Sequence, residues 1–247
     1  MTEVAWHRNA VRSVKYLIML MVSPKRRLLN GVRFLLATEG RTFAAIYRAF
    51  AATSEGRNLL RTQPPSARLL ADRDVLAAQP KDALGRCYLE FMEKHSFNEG
   101  VYLNLIAKLG RPVETGDRAW FRERWDCCHD LRHVLTGYGP DHLGEICLLA
   151  FRYAQTGHRG MLALVLLGLL HPHRNGEAAA LPAIREAYRR GKAAELLDLL
   201  PWETGLDQPL SAHRARLNLT APRHYTFAEF AGDYRPAPQP EANLPRG

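Results

Sequence analysis

Two histidines separated by four positions, with acidic residues close by, are the side chains best suited to chemistry in this chain. Residues four apart on an α-helix lie on one face, so the imidazoles of His129 and His133 can share a metal ion. Asp130 lies about 100° round the helix from His129, where it is either an edge ligand or a group that orients an imidazole. Imidazoles with carboxylates suit zinc, and with open coordination positions they also suit ferrous iron. The alternative is a pair of ordinary helices whose polar residues fall close together.

A helical hairpin is expected to bring an acidic side chain to these histidines. Gly137 suits the left-handed turn that ends a helix, and Asp141 suits the N-cap of the next one. We expect the first helix to be continuous across residues 125–134. Glu145 lies four residues after Asp141, and His133 lies four residues before Gly137. A tight hairpin therefore places Glu145 opposite the histidine pair.

The rest of the chain has the apolar periodicity of helices. No segment alternates apolar and polar residues while being rich in β-branched types, which argues against a sheet. We predict an all-α fold, a single-domain helical bundle with an amphipathic N-terminal helix and an irregular, proline-rich C-terminal tail. Its parts are a basic helical arm (residues 1–40), a helical metal-binding domain (residues 41–220) and the tail (residues 221–247).

The charge of the chain predicts an anionic partner. The net charge is +9 and the isoelectric point is about 9.6. Residues 4–38 contain seven lysines or arginines and no acid, as in a helix that lies on an anionic membrane surface. The apolar side of that helix is expected to consist of Tyr16, Leu17, Leu20 and Met21. A transit peptide and a plain helix that caps the fold are the alternatives.

Other function classes are disfavoured by composition. The basic residues are spread out and no known motif accompanies them, which argues against a nucleic-acid partner. No stretch reaches the roughly 18 apolar residues that span a bilayer. The four cysteines form no CxxC pair, so reduced thiols in a reducing compartment are expected. A zinc protease would have Glu where this chain has Asp130, and a metal phosphohydrolase would need further ligands that the sequence does not offer.

The metal-ligating pattern resembles a family signature. HDxxH followed by eleven residues and Glu is similar to the signature of the coenzyme Q biosynthesis protein four family. Further stretches with that likeness fall in the family's order at residues 55–65, 84–97, 125–145 and 196–210. The resemblance covers about residues 55–219, and the basic arm and the tail match less well.

The resemblance implies an all-helical protein of ubiquinone synthesis that binds a divalent metal, with zinc as the first choice and Fe²⁺ or Mg²⁺ as alternatives. Its metal and catalytic set would be His129, Asp130, His133 and Glu145. The implied reaction removes the C1 carboxyl of a polyprenylated hydroxybenzoate and hydroxylates that carbon. The other reading is a non-catalytic scaffold that binds prenyl lipids for the biosynthetic complex. We favour the enzyme.

The resemblance also implies partners and a location. The expected partners are a prenylated aromatic lipid, an anionic membrane surface and other ubiquinone biosynthesis proteins, with a homodimer left open. The expected place is the cytoplasmic face of a bacterial inner membrane, or the matrix side of the mitochondrial inner membrane in a eukaryote.

Further side chains are candidates for holding such a substrate. Its carboxylate needs a cation, for which the candidates are Arg122, Arg124 and Arg132. Its prenyl chain needs an apolar channel, and residues 146–154 and 161–170 are apolar nearly all round, although a simple core explains most of them. Tyr138, in the hairpin loop, is a candidate for contact with the aromatic ring.

Overall fold

The computed structural model describes residues 3–22, 27–97, 109, 114–169 and 177–227. These residues form thirteen α-helices and no β-strand, which confirms the all-α prediction. The helices are α1 (Glu3–Val22), α2 (Arg27–Thr38), α3 (Thr42–Ala52), α4 (Ser54–Thr62), α5 (Ser66–Ala71), α6 (Arg73–Ala77), α7 (Leu84–Lys94), α8 (Asp117–Cys127), α9 (His129–Thr136), α10 (His142–Thr156), α11 (Arg159–Leu169), α12 (Glu177–Ala193) and α13 (Leu210–Arg216). Two 3-10 helices, Leu197–Leu199 and Trp202–Thr204, lie between α12 and α13.

Helix α10 is the centre of the larger hydrophobic core, with α11 and α12 packed against it. Its buried side chains lie on more than one side of the helix, so that they meet both neighbours. They include Ile146, Cys147, Ala150, Phe151 and Ala154. The apolar run at residues 146–154 is therefore part of the core.

A smaller core joins α3 to α8. Phe43, Ile46 and Phe50 lie at helical spacing on the buried face of α3, and Phe121 of α8 packs among them. The Phe50 and Phe121 rings lie 4.8 Å apart between centroids. This cluster anchors α8, the helix that leads into the histidine pair.

Close backbone approach holds α11 in place. A Cβ atom on Gly160 would lie 2.0 Å from Thr38 Oγ1, and one on Gly168 would lie 2.4 Å from Ile146 Cδ1. Both glycines are therefore needed for packing against α2 and α10. Most other α11 side chains are only half-buried, and Leu166 is 55 % exposed.

Helices α1 and α2 of the basic arm pack along each other. Tyr16 lies under the Arg33 guanidinium of α2, and Leu20 approaches Gly31. The side that we expected to meet lipid is therefore turned toward the protein at Tyr16 and Leu20, while the side chain of Met21 lies outside the described residues. A different apolar stripe is exposed, formed by Val11, Val14, Ile18 and Val22.

The tail assigned to residues 221–247 is described only as far as Phe227, and residues 228–247 lie outside the described part. Its first residues form no helix, yet Tyr225 is buried. In the described part of the chain, no helix has both the length and the hydropathy required to cross a bilayer.

Candidate metal centre

The hairpin formed by α9 and α10 brings two nitrogen donors and one oxygen donor together. The Nε2 atoms of His129 and His133 lie 3.4 Å apart. Glu145 Oε1 lies 3.4 Å from Nε2 of His133 and 3.8 Å from Nε2 of His129. Asp130 is a neighbour, with ligand atoms of Asp130, His129 and His133 all within 4.8 Å of one another. Asp130 and Glu145 therefore both lie close to the His129 and His133 pair.

These separations fit a divalent ion. Ligand atoms bound at about 2.0–2.1 Å to a tetrahedral ion lie about 3.4 Å apart, which matches the three distances of the His129, His133 and Glu145 donors. Side-chain exposure of 30 % for His129 and 39 % for Glu145 leaves one side of the cluster accessible. The donor set is therefore compact enough for an ion and open enough for a further ligand.

The tautomer of His133 suits metal binding. Its Nδ1 lies 2.9 Å from the backbone carbonyl oxygen of Tyr138. Because a carbonyl oxygen only accepts, Nδ1 must donate its hydrogen there, which leaves the lone pair of a neutral ring on Nε2. The side chain is fully buried, and the Phe91 ring stacks on it at 5.8 Å with an interplanar angle of 16°. His133 is therefore held with its Nε2 atom pointing toward Glu145.

The cluster is electrostatically coupled. Burial opposes the charged form of Glu145, but the imidazoles of His133 and His129 hold its pKa well below the usual range. Burial likewise opposes a charged His133, but the carboxylates of Glu145 and Asp130 raise its pKa. Each group thus stabilises the charge of the other, as a divalent cation bound between them would stabilise the carboxylates.

An aromatic wall adjoins the cluster. It consists of Phe91, His95, Phe97 and Phe227, with ring centroids 4.8 to 6.2 Å apart in neighbouring pairs. His95 was not predicted as part of the site. Burial, the charge of Lys94 and the nearby His133 lower its pKa, so the neutral ring is favoured. The wall gives the accessible cluster an apolar, aromatic border.

The hairpin loop has the predicted ends. Gly137 adopts φ 79° in the left-handed region at the end of α9. The Asp141 carboxylate accepts a hydrogen bond from Gly144 N at the start of α10. The prediction of one continuous helix across residues 125–134 is wrong. Helix α8 ends at Cys127 and α9 begins at His129, because Cys128 between them has ψ 5°, outside the helical range. Neither proline nor glycine marks this break.

The three arginines that were candidates for binding the substrate carboxylate already form ion pairs with carboxylates of the protein. Arg122 pairs with Glu39 at 2.6 Å. Arg124 and Arg132 are buried, and each pairs with an acidic residue of the 3-10 helices. None of the three is thus set to receive an anionic ligand.

Tyr138 contributes to the site through its backbone carbonyl and not through its ring, because the residue is only 1 % exposed and its ring lies in the core.

The sequence pattern gave no sign that Tyr225 reaches the hairpin loop. Its hydroxyl accepts from Gly139 N at 2.8 Å and donates to the Asp141 carboxylate.

A family model and several sequence relatives match this chain. A family model described as "Coenzyme Q (ubiquinone) biosynthesis protein Coq4" matches residues 2–223. The chain is 29 % identical over 173 residues to the human ubiquinone biosynthesis protein COQ4 homolog, mitochondrial, covering 68 % of this chain and 62 % of the human one. It is 26 % identical over 182 residues to the mitochondrial coq4 protein of Botryotinia fuckeliana, covering 72 % and 62 %. The matches thus span about three-fifths of these relatives' length.

A solved structure supports the fold. It is that of a protein from Nostoc punctiforme described in terms of ubiquinone biosynthesis. The TM-score is 0.62 at 22 % identity, covering 85 % of this chain and 97 % of that one. The helical architecture is therefore shared with that protein.

Proposed function

The chain belongs to the coenzyme Q (ubiquinone) biosynthesis protein Coq4 family, and on this premise we propose that it is a metal-dependent enzyme of ubiquinone biosynthesis. The proposed reaction removes the C1 carboxyl group of a polyprenylated hydroxybenzoate and places a hydroxyl group on the same carbon. The observation that carries this proposal is the accessible triangle of donors from His129, His133 and Glu145. A closed four-ligand site would favour a purely structural ion.

The residues of the cluster have separate roles in this proposal. His129, His133 and Glu145 hold the ion, and Asp130 orients or completes the set. A bound divalent ion would supply Lewis acidity to a carboxylate or phenolate oxygen of the substrate. The aromatic wall, which includes Phe91 and His95, borders the ring and limits the access of water.

The proposed reaction requires an oxidant. The bond between the ring and its carboxyl carbon breaks and carbon dioxide leaves. One oxygen atom of dioxygen takes the vacated position, and the second leaves as water with two protons and two electrons from an external reductant. The hydroxylated product should therefore depend on air and on that reductant.

We propose that α1 places the protein on an anionic membrane, where a prenylated substrate resides. The exposed stripe of α1 has a spacing of three and four residues, so Val11, Val14, Ile18 and Val22 lie on one face. Arg12 and Lys15 are exposed beside it. Apolar residues flanked by cations suit the interface of an anionic bilayer.

Product analysis with the metal-loaded protein tests the enzyme against the scaffold. A prenylated 4-hydroxybenzoate is incubated with a reductant, under air and under argon, with Glu145→Ala as the control. We expect loss of the carboxyl group with the wild type, formation of the hydroxylated product under air only, and no reaction with the variant.

Melting curves with and without a chelator complete this test. A structural ion would stabilise the fold through binding linkage. The enzyme hypothesis fails, and the scaffold is favoured, if no turnover occurs under any condition while the chelator greatly lowers the melting temperature.

A further inference from the structure

A single buried carboxylate joins the two helices that carry the metal donors. Asp198, in the 3-10 helix after α12, accepts from Arg132 of α9 at 3.0 Å and from Arg152 of α10 at 2.6 Å. Its side chain is 3 % exposed, and those of the two arginines are at most 10 % exposed. Both helices of the hairpin are thus fastened to the same group from outside the hairpin.

The positions of the two arginines tie this bridge to the donors. Arg132 directly precedes His133 in the chain. Arg152 follows Glu145 by seven residues, which is about two helical turns, so both side chains leave the same side of α10. Helix α10 is therefore held by Glu145 near its start and by Arg152 near its end.

The hydrogen bonds from Arg132 and Arg152 to Asp198 are strong and directional. Charge-assisted hydrogen bonds are shorter and stronger than neutral ones, and the planar guanidinium fixes their direction. Burial opposes the charged form of Asp198, but the charges of Arg152 and Arg132 hold its pKa below the usual range. Without the carboxylate, two buried cations would face each other uncompensated, which would drive the two helices apart.

We propose that Asp198 is a positioning residue that holds α9 and α10 in the register at which Glu145 reaches the histidine pair. It acts through Arg132 and Arg152 and does not contact the ion or the substrate. This inference rests on the metal site of the proposed function. It deepens that function by making the metal affinity of the site depend on a residue outside the hairpin.

Glu203 provides a matched control. It lies in the next 3-10 helix, and its fully buried side chain pairs with Arg124 at 2.5 Å. Arg124 belongs to α8 and not to the hairpin. Asp198→Asn and Glu203→Gln therefore each remove one buried negative charge, which faces two arginines in the first case and one in the second. Only the first substitution is expected to release α9 from α10.

The test measures Co²⁺ affinity by visible absorption in wild type, Asp198→Asn and Glu203→Gln. We expect Asp198→Asn to bind Co²⁺ about 10–100-fold more weakly, the range found when residues that orient ligands are removed. Glu203→Gln should bind as the wild type does. The proposal is overturned if Asp198→Asn keeps the wild-type affinity, or if Glu203→Gln loses as much.

A second variant covers the case in which Asp198→Asn does not fold. Arg152→Lys keeps the positive charge but loses the guanidinium geometry. We expect it to fold and to bind Co²⁺ more weakly than the wild type. Wild-type affinity in Arg152→Lys would count against the proposal.

Hydrogen exchange without metal separates this inference from the proposed function. We expect amides of residues 129–145 to exchange faster in Asp198→Asn than in Glu203→Gln. If the wild type binds no Co²⁺, the metal site fails, while the exchange rates still decide whether Asp198 holds the hairpin. Equal exchange in the two variants would overturn the positioning role.

Discussion

His133 is the residue at which the fold most directly determines the chemistry. Its Nδ1 donates to the Tyr138 carbonyl, and the Phe91 ring stacks on its imidazole. Rotation of the imidazole would break that hydrogen bond inside the core, where an unpaired carbonyl is costly. The direction of Nε2 is thus set by the loop that follows α9, before any ion binds.

At this scale we predict unequal effects of the two acidic residues on metal binding. Glu145→Ala removes a donor 3.4 Å from His133 Nε2 and should lower metal affinity by at least ~100-fold, the upper end of the loss found for residues that only orient ligands. Asp130→Asn should lower it by about tenfold, as expected for a residue that orients ligands. Metal content after dialysis and a competition titration measure both effects.

The exposed Glu90→Ala serves as the control for these variants, because Glu90 lies on the outer side of α7 with its side chain 52 % exposed. A Glu145→Ala protein with unchanged metal stoichiometry and affinity would contradict the assignment of the site.

At the scale of elements, the loop of the hairpin is held by a residue far along the chain. The Tyr225 hydroxyl bridges Gly139 N and the Asp141 carboxylate, and Asp141 caps α10. The C-terminal segment thus fixes the turn from which both helices of the candidate metal site extend.

We predict that Tyr225→Phe destabilises the protein. It leaves a partly buried amide and a buried carboxylate oxygen without this partner, which should cost about 1–3 kcal/mol in the free energy of unfolding. Urea unfolding measures the loss, with Tyr188→Phe as the control because that side chain is 39 % exposed. Equal stability of the Tyr225→Phe protein and the wild type would show that the bridge contributes nothing.

The start of α11 predicts a dependence of stability on pH. His158 Nδ1 accepts hydrogen bonds from Gly160 N at 3.1 Å and Met161 N at 3.4 Å. Burial, with the charge of Arg152, lowers the pKa of His158 to about 4. Between that value and the unfolded value of about 6.5, the unfolded chain binds more protons. Acidification across this window should therefore reduce the free energy of unfolding, by on the order of 3 kcal/mol.

Urea unfolding at several values between pH 7 and pH 4 measures this loss. His158→Asn keeps an acceptor at the start of α11 but cannot titrate in this range, so its stability should fall less steeply on acidification. Equal slopes for the variant and the wild type would exclude His158 as the source of the pH dependence.

At the scale of the whole molecule, the exposed face of α1 predicts membrane binding. Ile18→Asp should reduce binding to anionic vesicles, because it places a charge in the apolar stripe. Val75→Asp is the control, since Val75 of α6 is as exposed as Ile18, at 54 % and 53 %. Vesicle flotation measures the bound fraction, and equal losses in the two variants would argue against a docking role for α1.

A second prediction concerns the positive charges of α1. Replacing Arg12 and Lys15 by Gln removes two attractions of about 1 kcal/mol each, so binding to anionic vesicles should weaken about 30-fold. High salt should release the wild type in the same way. Binding that is equal on neutral and anionic vesicles and unaffected by salt would leave apolar insertion as the sole cause.

The amino-acid sequence alone predicted the parts of the site that depend on neighbouring residues. The spacing of His129 and His133, the turn at Gly137 and the cap at Asp141 follow from helix geometry and backbone preferences. These are interactions over a few residues, so the placement of Glu145 opposite the histidines could be predicted from the loop alone. The break at Cys128 could not, because no residue type there interrupts a helix by itself.

The tertiary structure decided which distant groups surround that hairpin. Asp198 meets Arg132 across 66 positions and Tyr225 meets Asp141 across 84, and helical periodicity carries no information about such pairs. It also decided which face of α1 is covered, since Tyr16 contacts α2 and Ile18 does not lie on that side. A periodic pattern shows that a helix has an apolar face, but only the packing of the whole chain determines which apolar residues are buried and which ions are paired.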